Sequence, residues 1–205
     1  MLDRYEIRLC GSGGQGLILA GIILAEAAAL HDGKNAIQTQ SYGPESRGGF
    51  SSSVVIISNQ DIDYPKATKV DVLLALTQKA ANMYAGDIKD DGILIIDNET
   101  VRDVPMGKYK LLYRLPIIEI ARTRLGKVIV ANIVALGVIV GLTKVVSIEA
   151  IKKALFSKIP KGTERLNLSA LEAGVELAIE AYDKVQPNAA YVGDKVQGLG
   201  KGFDV

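Results

Sequence analysis

Two glycine-rich stretches hold the residues whose types and spacing could do chemistry. The first, CGSGGQG, follows the apolar-rich run YEIRL and has the spacing G-x-G-x-x-G. Where a strand turns into a helix, this spacing lets backbone N–H groups hold an anion such as a phosphate, helped by the helix dipole. The same glycines also allow a tight turn with no ligand, so both interpretations stay open. The candidate ligand or interface residues of this loop are Gly11, Ser12, Gly13, Gly14, Gln15 and Gly16.

The second stretch, SYGPESRGG, combines an aromatic ring, a guanidinium group and closely spaced glycines. The Arg47 guanidinium is suited to gripping a phosphate or a carboxylate, or to docking on a neighbouring subunit. The alternative is a surface loop in which Arg47 pairs with Glu45 and contributes little. The candidate residues of this loop are Tyr42, Gly43, Arg47, Gly48 and Gly49.

Other reactive residue types are scarce. A dinucleotide site needs an acidic residue near the end of the second strand, where this chain has the run 38–40, QTQ. Ordinary NAD binding is therefore not expected. The single histidine, His31, is predicted to be solvated at a helix end, and the single cysteine, Cys10, to be buried at a strand end. With one residue of each kind, we expect no metal cluster, no disulfide framework and no Ser-His-Asp triad, and we assign no catalytic residue.

The elements that must position these loops alternate between strand and helix patterns. Strands are predicted at 5–10, 35–40, 51–58, 70–77, 92–98 and 109–116, and helices at 16–30, 78–88, 131–142, after Ser147 and at 168–182. This alternation predicts an α/β fold, a three-layer Rossmann-like sheet that is mostly parallel with an antiparallel edge. We expect one domain over residues 1–185 and a Gly-rich tail over 186–205, which is disordered or draped over a partner.

The two glycine-rich loops are expected to share one rim of this sheet. The ten residues between the second and third strands leave no room for a crossover helix, so these strands are predicted to run antiparallel. If the second strand runs parallel to the first, both loops leave at the carboxyl edge, where ligands bind in open α/β sheets. Thr77, Gln78, Asp97 and Asn98 end parallel strands at the same edge.

Three helices carry further expectations. The first helix and the one over 131–142 are apolar nearly all round, so we expect them to need cover from a partner that one small domain hardly provides. Small residues in the second of these helices allow another backbone to approach closely. They are Ala131, Ala135, Gly137 and Gly141. The final helix is predicted to bury one face formed by Leu168, Leu171, Val175, Ile179 and Tyr182.

Charge and hydropathy exclude several classes of partner. The formal net charge is +1, from 24 basic and 23 acidic residues, so no strong field points to nucleic acid or to an anionic membrane. The longest apolar run, VIVANIVALGVIVGL, is shorter than the ~20 residues of a membrane helix. The first residues lack the pattern of a signal peptide. We therefore expect a cytoplasmic protein.

The order of motifs resembles the gamma subunit of 2-oxoacid:ferredoxin oxidoreductases. The resemblance is carried by GSGGQG, QSYGPESRGG, DIDYP, DVLLAL and ANIVALGVIVGLT, and covers roughly residues 7 to 182. The paired SYGPESRGG is the specific element, and it is more similar to the 2-oxoglutarate or branched-chain type than to the pyruvate type. An indolepyruvate-type subunit has a similar domain and remains an alternative.

The resemblance implies a complex that converts a 2-oxoacid and coenzyme A to acyl-CoA and carbon dioxide while reducing ferredoxin. Its alpha, beta and ferredoxin-like delta subunits are expected to carry thiamine diphosphate, magnesium and iron–sulfur clusters. The present chain is expected to hold none of these and to be inactive when isolated. Its two loops would contact the thiamine-bearing subunits and help to shape the coenzyme A path.

Two other functions are compatible with the sequence. One is a stand-alone nucleotide-dependent oxidoreductase, against which the missing acidic residue of the second strand argues. The other is a non-catalytic scaffold that binds no small molecule and uses the glycine loops only as contact surface. The sequence also leaves open whether the isolated chain forms a homodimer.

Overall fold

One seven-stranded sheet organises the chain. The computed structural model that shows it describes residues 4–42, 49–182, 184 and 186–187. The strands are β1 (Tyr5–Ser12), β2 (Asn35–Tyr42), β3 (Phe50–Ser58), β4 (Val70–Ala75), β5 (Ile88–Asp97), β6 (Leu111–Leu115) and the two-residue β7 (Gln186–Pro187). Their order in the sheet is β2-β3-β1-β4-β5-β6-β7. The predicted tail over 186–205 lies outside the described residues apart from β7.

The strand directions confirm the predicted mixed sheet. β1, β4, β5 and β6 run parallel to their neighbours in that group, whereas β3 runs antiparallel to both β1 and β2. The antiparallel pairing of β2 and β3 agrees with the prediction from their short connection. Because β3 is antiparallel to both β1 and β2, β2 has the same direction as β1. β7 pairs antiparallel with β6 at the opposite edge. The carboxyl ends of β1 and β2 consequently lie at one edge of the sheet.

The helices are distributed unequally over the two faces of the sheet. They are α1 (Leu17–Glu26), α2 (Gln78–Tyr84), α3 (Ile117–Thr123), α4 (Ala131–Thr143), α5 (Ile148–Lys158) and α6 (Glu164–Tyr182). A π-helical turn, Ala27–His31, continues α1. One face is covered by α1 and α3 to α6, and the other by α2. No helix in the described ranges combines the length and the apolarity that crossing a membrane requires.

The expectation that α4 needs cover from a partner is wrong. Residues 131–140 are all buried within the chain itself, because α6 lies directly against α4. A Cβ placed on Gly137 would overlap the carbonyl oxygen of Leu171, and one on Gly174 would overlap that of Val134. The predicted close approach of a second backbone is thus made by this chain's own α6.

The predicted buried face of α6 is rotated from the one in the structure. Leu171 is buried as expected, but Ile179 is 63% exposed and Val175 is partly exposed. Most residues on the face that α6 buries are alanine or glycine. The buried residues are Asn167, Ala170, Leu171, Ala173, Gly174, Leu177, Ala178 and Ala181. Small residues turn toward α4 because a larger side chain would keep the two backbones apart.

Candidate functional site

The two glycine-rich loops meet at the carboxyl edge of the sheet. Ser12 at the end of β1 pairs with Phe50 at the start of β3, and Tyr42 at the end of β2 pairs with Ser51. The Gly13 N–H donates a hydrogen bond to the Gly49 carbonyl oxygen, which joins the loops directly. We call residues 11–16, 42 and 49 the rim. The predicted juxtaposition is therefore present in the described ends of both loops.

Backbone donors of the glycine loop are engaged within the protein. Besides the Gly13 N–H, the Ser12 N–H donates to Gln15 Oε1 over 2.7 Å, and the Gln15 N–H donates to the Ser12 carbonyl oxygen over 3.2 Å. An anion cradle offers such N–H groups to the ligand. Because three of them already face protein acceptors, this loop is built as a closed turn.

Two glycines of this loop have structural reasons to be glycine. A Cβ on Gly11 would overlap the Gln15 side-chain oxygen, which folds back over the end of β1. Gly16 has a φ of 73°, a conformation that favours glycine, and a Cβ there would collide with the Asn132 amide. These contacts need no ligand and favour the tight-turn interpretation. A ligand role for the loop remains a prediction.

Tyr42 is an exposed aromatic residue of the rim. Its side chain is 64% exposed, and its register places it on the same face of the sheet as Ser51 and Gly11. The following candidates, Gly43, Arg47 and Gly48, lie outside the described residues, so the role of the guanidinium remains a prediction. Tyr42 can offer a ring to a partner or a ligand without any rearrangement of the sheet.

The residue that begins α2 at this edge has a capping role. The Thr77 hydroxyl accepts a hydrogen bond from the Ala80 N–H over 3.3 Å, which caps the helix. The Gln78 amide donates to the Asp103 carbonyl oxygen over 2.7 Å. Both side chains therefore stabilise the chain locally.

Asp97 at the end of β5 is a structural residue. It is fully buried, and its carboxylate accepts hydrogen bonds from the N–H groups of Thr100 over 3.0 Å and Ile118 over 2.9 Å. These bonds hold the turn after β5 against the start of α3. The neighbouring Asn98 side chain is exposed. Of the two, only Asn98 is accessible to a ligand.

The start of α4 also reaches the rim, which the motif pattern did not indicate. The buried Asn132 donates from its amide to the Gly16 carbonyl oxygen over 3.0 Å. Just before it, Val128 and Ile129 are 48% and 75% exposed. Asn132 is the one polar side chain near the start of the apolar run VIVANIVALGVIVGL. That isolated amide is the sequence signal that could have indicated a contact between this segment and the glycine loop. Exposed apolar side chains so close in sequence to Asn132 are suited to contact with another protein.

A charged cluster lies beneath the rim on the α2 face of the sheet. The Arg8 guanidinium is 4.0 Å from the centre of the Tyr84 ring and donates to Asp87 Oδ2 over 2.6 Å. Cys10 is fully buried, and its thiol lies 3.3 Å from the Leu74 carbonyl oxygen. Burial raises the pKa of this thiol to about 12, so Cys10 is a buried strand residue rather than a reactive thiolate, as predicted.

The remaining ionisable candidates do not form a metal site in the described part of the chain. There, no group of three or more His, Cys, Asp or Glu side chains is arranged to hold an ion. His31 is exposed at the end of the π-helical turn, which agrees with its predicted position. The rim presents backbone groups, hydroxyls, one amide and one aromatic ring. These groups can contact and orient another molecule.

Comparison with known proteins identifies the family. The model of the family described as pyruvate ferredoxin/flavodoxin oxidoreductase matches residues 6–177. A protein of Methanocaldococcus jannaschii called 2-oxoglutarate synthase subunit KorC is 49% identical, and the match covers 86% of this chain and 95% of that protein. The family match over residues 6–177 includes both the rim and the α4–α6 contact.

Two further relatives describe the fold and its setting. The crystal structure of a keto/oxoacid ferredoxin oxidoreductase gamma subunit from Geobacter sulfurreducens is 50% identical, with a TM-score of 0.78, and covers 86% of this chain and 99% of that chain. The ketoisovalerate oxidoreductase subunit VorA of Methanothermobacter thermautotrophicus is 37% identical over 85% of this chain but only 36% of its own length. With its sheet, its rim and these matches, the chain belongs to the pyruvate ferredoxin/flavodoxin oxidoreductase family.

Proposed function

We propose that this chain is the gamma subunit of a 2-oxoglutarate:ferredoxin oxidoreductase. The observation that carries the proposal is the 49% identity, over nearly the whole of both proteins, to a subunit named for 2-oxoglutarate synthase. The complex would convert 2-oxoglutarate and coenzyme A to succinyl-CoA and carbon dioxide and would reduce ferredoxin. The relative named for ketoisovalerate is 37% identical, so a branched-chain substrate is the less favoured alternative.

The role proposed for this chain is to contact its partner subunits through the rim. The exposed Tyr42 side chain lies at the rim with a glycine loop whose donors are largely engaged within the protein. The exposed Ile129 side chain precedes by three residues Asn132, which donates to Gly16. Such a surface offers shape and apolar area to a partner chain. In VorA the matching segment is about a third of one longer chain, which supports an association of this chain with a subunit similar to the rest of VorA.

The cofactors of the reaction are proposed to reside in the alpha, beta and ferredoxin-like delta subunits. The chain has a single cysteine, and that thiol is buried with its pKa raised to about 12, whereas an iron–sulfur cluster needs several thiolates. Thiamine diphosphate supplies the decarboxylation chemistry when it is bound. This chain would bind no cofactor of its own and would be inactive when isolated. The complex is proposed to reside in the cytoplasm.

Arg47 is proposed to supply positive charge to the coenzyme A path or to a carboxylate of a partner. The loop that contains it begins after Tyr42 and ends before Gly49, both at the rim. A guanidinium group binds phosphates and carboxylates with two parallel hydrogen bonds. A pure scaffold would need no such group. If Arg47 lines the coenzyme A path, its loss changes the KM for coenzyme A, whereas a pure scaffold role predicts no such change.

The test of this role uses the assembled complex. The Arg47→Ala variant should raise the KM for coenzyme A at least about tenfold, or release this chain from the complex, since a charged hydrogen bond is worth about 1.5–3 kcal/mol. Lys153→Ala removes an exposed cation on α5 and serves as the control. Unchanged assembly together with an unchanged KM would remove Arg47 from the proposed function.

The contact surface has a separate test. Ile129→Asp places a charge on the exposed apolar segment that precedes Asn132 and should reduce co-purification of the alpha and beta subunits. Met106→Asp, at a residue that is 97% exposed on another part of the chain, should leave it unchanged. Full co-purification of the Ile129→Asp chain would show that the segment lies outside the interface.

A further inference from the structure

An apolar groove lies at the end of the molecule opposite the rim. It is bounded by the ends of α4 and α6 and by the start of α5, and its volume is about 900 Å³. Val140, Val146, Ile148, Val175, Ala178 and Ile179 form its apolar walls. Ile179 and Ile148 are 63% and 37% exposed. Large apolar side chains in the groove are therefore exposed to solvent, and burying them would be energetically favourable.

The polar groups around the groove already have partners inside the chain. The Asp32 carboxylate accepts hydrogen bonds from the Ser147 N–H and from the Ser147 hydroxyl, both over 2.7 Å. The Lys34 ammonium donates to the Val145 carbonyl oxygen over 2.6 Å. The start of α5 is thus capped from within, so the groove is suited to an apolar occupant and not to an anion.

The spacing of apolar residues in α6 also indicates that the groove has a packing partner. Its large apolar residues Val175, Ile179 and Tyr182 follow the spacing of a buried face, yet α6 turns its small residues toward α4. These three side chains line the groove instead. A sequence that keeps a second apolar stripe on one helix provides for a second packing partner.

We propose that this partner is the C-terminal segment of the same chain, residues 188–205. The described chain reaches Pro187, which pairs with Leu111, only five residues after Tyr182 at the groove. The 18 residues that follow can extend up to ~60 Å, twice the ~28 Å length of a 19-residue helix such as α6. The segment lies beyond residues 6–177, which the family model matches.

The composition of the segment fits an apolar groove. It carries two acidic and two basic residues, and its apolar side chains recur at short intervals. They are Tyr191, Val192, Val196, Leu199, Phe203 and Val205. Because the segment is tethered, its effective concentration at the groove is in the millimolar range, so a weak contact suffices. A separate molecule would have to offset the full cost of association.

The proposal is tested in the full chain by replacing Ile179 with the photocrosslinking amino acid p-benzoylphenylalanine. On irradiation of dilute protein, a crosslink from position 179 to a peptide within residues 188–205 of the same chain is the expected result. The same replacement at Met106 is the control and should give no such crosslink. A covalent dimer, a crosslink to another subunit, or crosslinks only to residues 4–182 would each overturn the proposal.

Hydrogen exchange gives an independent readout in the full chain. Ile179→Asp should raise the exchange rate of amides in residues 188–205 at least about threefold, because the groove no longer protects them, while Met106→Asp should not. Ile179 is mostly exposed, so its substitution leaves the fold intact, which the melting temperature verifies. Equal exchange of the segment in both variants would refute the assignment.

Discussion

The two faces of the sheet are stabilised in different ways. On one face, Ile7 and Leu9 of β1 pack in a large apolar core under α1 and α3 to α6. On the other, the same strand places Glu6 and Arg8 beside Cys10 under the seven-residue helix α2. Alternation along one strand thus separates an apolar face from a face that buries charge.

The two faces of the sheet depend on different interactions with the helices that cover them. Apolar burial is non-directional and contributes about 25 cal/mol per Å², so the five-helix face depends mainly on how closely its helices can approach. A buried charge is stable only with its partner in place. Within the described residues, Arg8 Nε and Glu6 Oε2 are buried without a hydrogen-bond partner, so the α2 face depends on the remaining polar contacts of these two side chains.

The largest expected effect is on the five-helix face. Gly137→Val should lower the free energy of unfolding by about 3 kcal/mol, since the new side chain would overlap the Leu171 carbonyl oxygen where α4 meets α6. Urea unfolding measures this change. Gly86→Ala is the control, because a Cβ there meets nothing within 4 Å. Similar stability of the two variants would show that α4 and α6 are less closely packed.

A smaller effect is expected on the α2 face. Asp87→Asn removes the negative charge opposite the buried Arg8 guanidinium and should cost about 1–2 kcal/mol, less than for a fully buried pair because the Asp87 side chain is 42% exposed. Asp90→Asn is the control, because it changes an exposed carboxylate near the start of β5. Its effect on the free energy of unfolding should be smaller than the error of the measurement. If both variants unfold at the same urea concentration, Arg8 does not depend on this partner.

Alkaline pH should weaken the α2 face through Cys10. The folded thiol has its pKa raised to about 12 from 9.0 in the unfolded chain, so above pH 9 the unfolded chain loses a proton that the folded chain keeps. Stability from this group is complete below pH 9 and falls by up to about 1.4 kcal/mol per pH unit between pH 9 and pH 12. Cys10→Ala should show a shallower decline in urea unfolding at pH 8 to 11. An identical pH dependence would contradict the burial of the thiol.

The smallest effect is expected for an ion pair on the outside of the five-helix face. Arg124 donates to Glu176 over 2.6 Å, but both side chains are more than half exposed. Water and salt screen such a pair. Glu176→Gln should therefore leave the urea midpoint unchanged, in contrast to Asp87→Asn. A clear loss of stability would place this pair among the contacts that hold α6 in position.

The positions of the site loops followed from local features of the sequence. The connection between β2 and β3, predicted at ten residues and seven residues long in the structure, leaves no room for a crossover helix and favours an antiparallel pair. The pairing of β3 with both β1 and β2 brings Tyr42 and Gly49 beside the glycine loop. The spacing of glycines did not reveal that Gln15 and Asn132 would occupy the space around them. Those contacts join residues far apart in the chain or depend on one rotamer, and no local pattern encodes either.

The sequence by itself determined the alternation of strands and helices and the antiparallel pairing of the second and third strands, because these follow from periodicity, turn residues and connection length. The tertiary structure placed both loops at one edge, because β3 pairs antiparallel with β1 as well as with β2. Only the tertiary structure decided which face of α6 is buried and at which glycines two backbones approach closely. Two backbones can approach closely at Gly137 only if α6 turns its small residues inward. That choice leaves Ile179 outside, and it depends on the fit between two helices rather than on the pattern of either one.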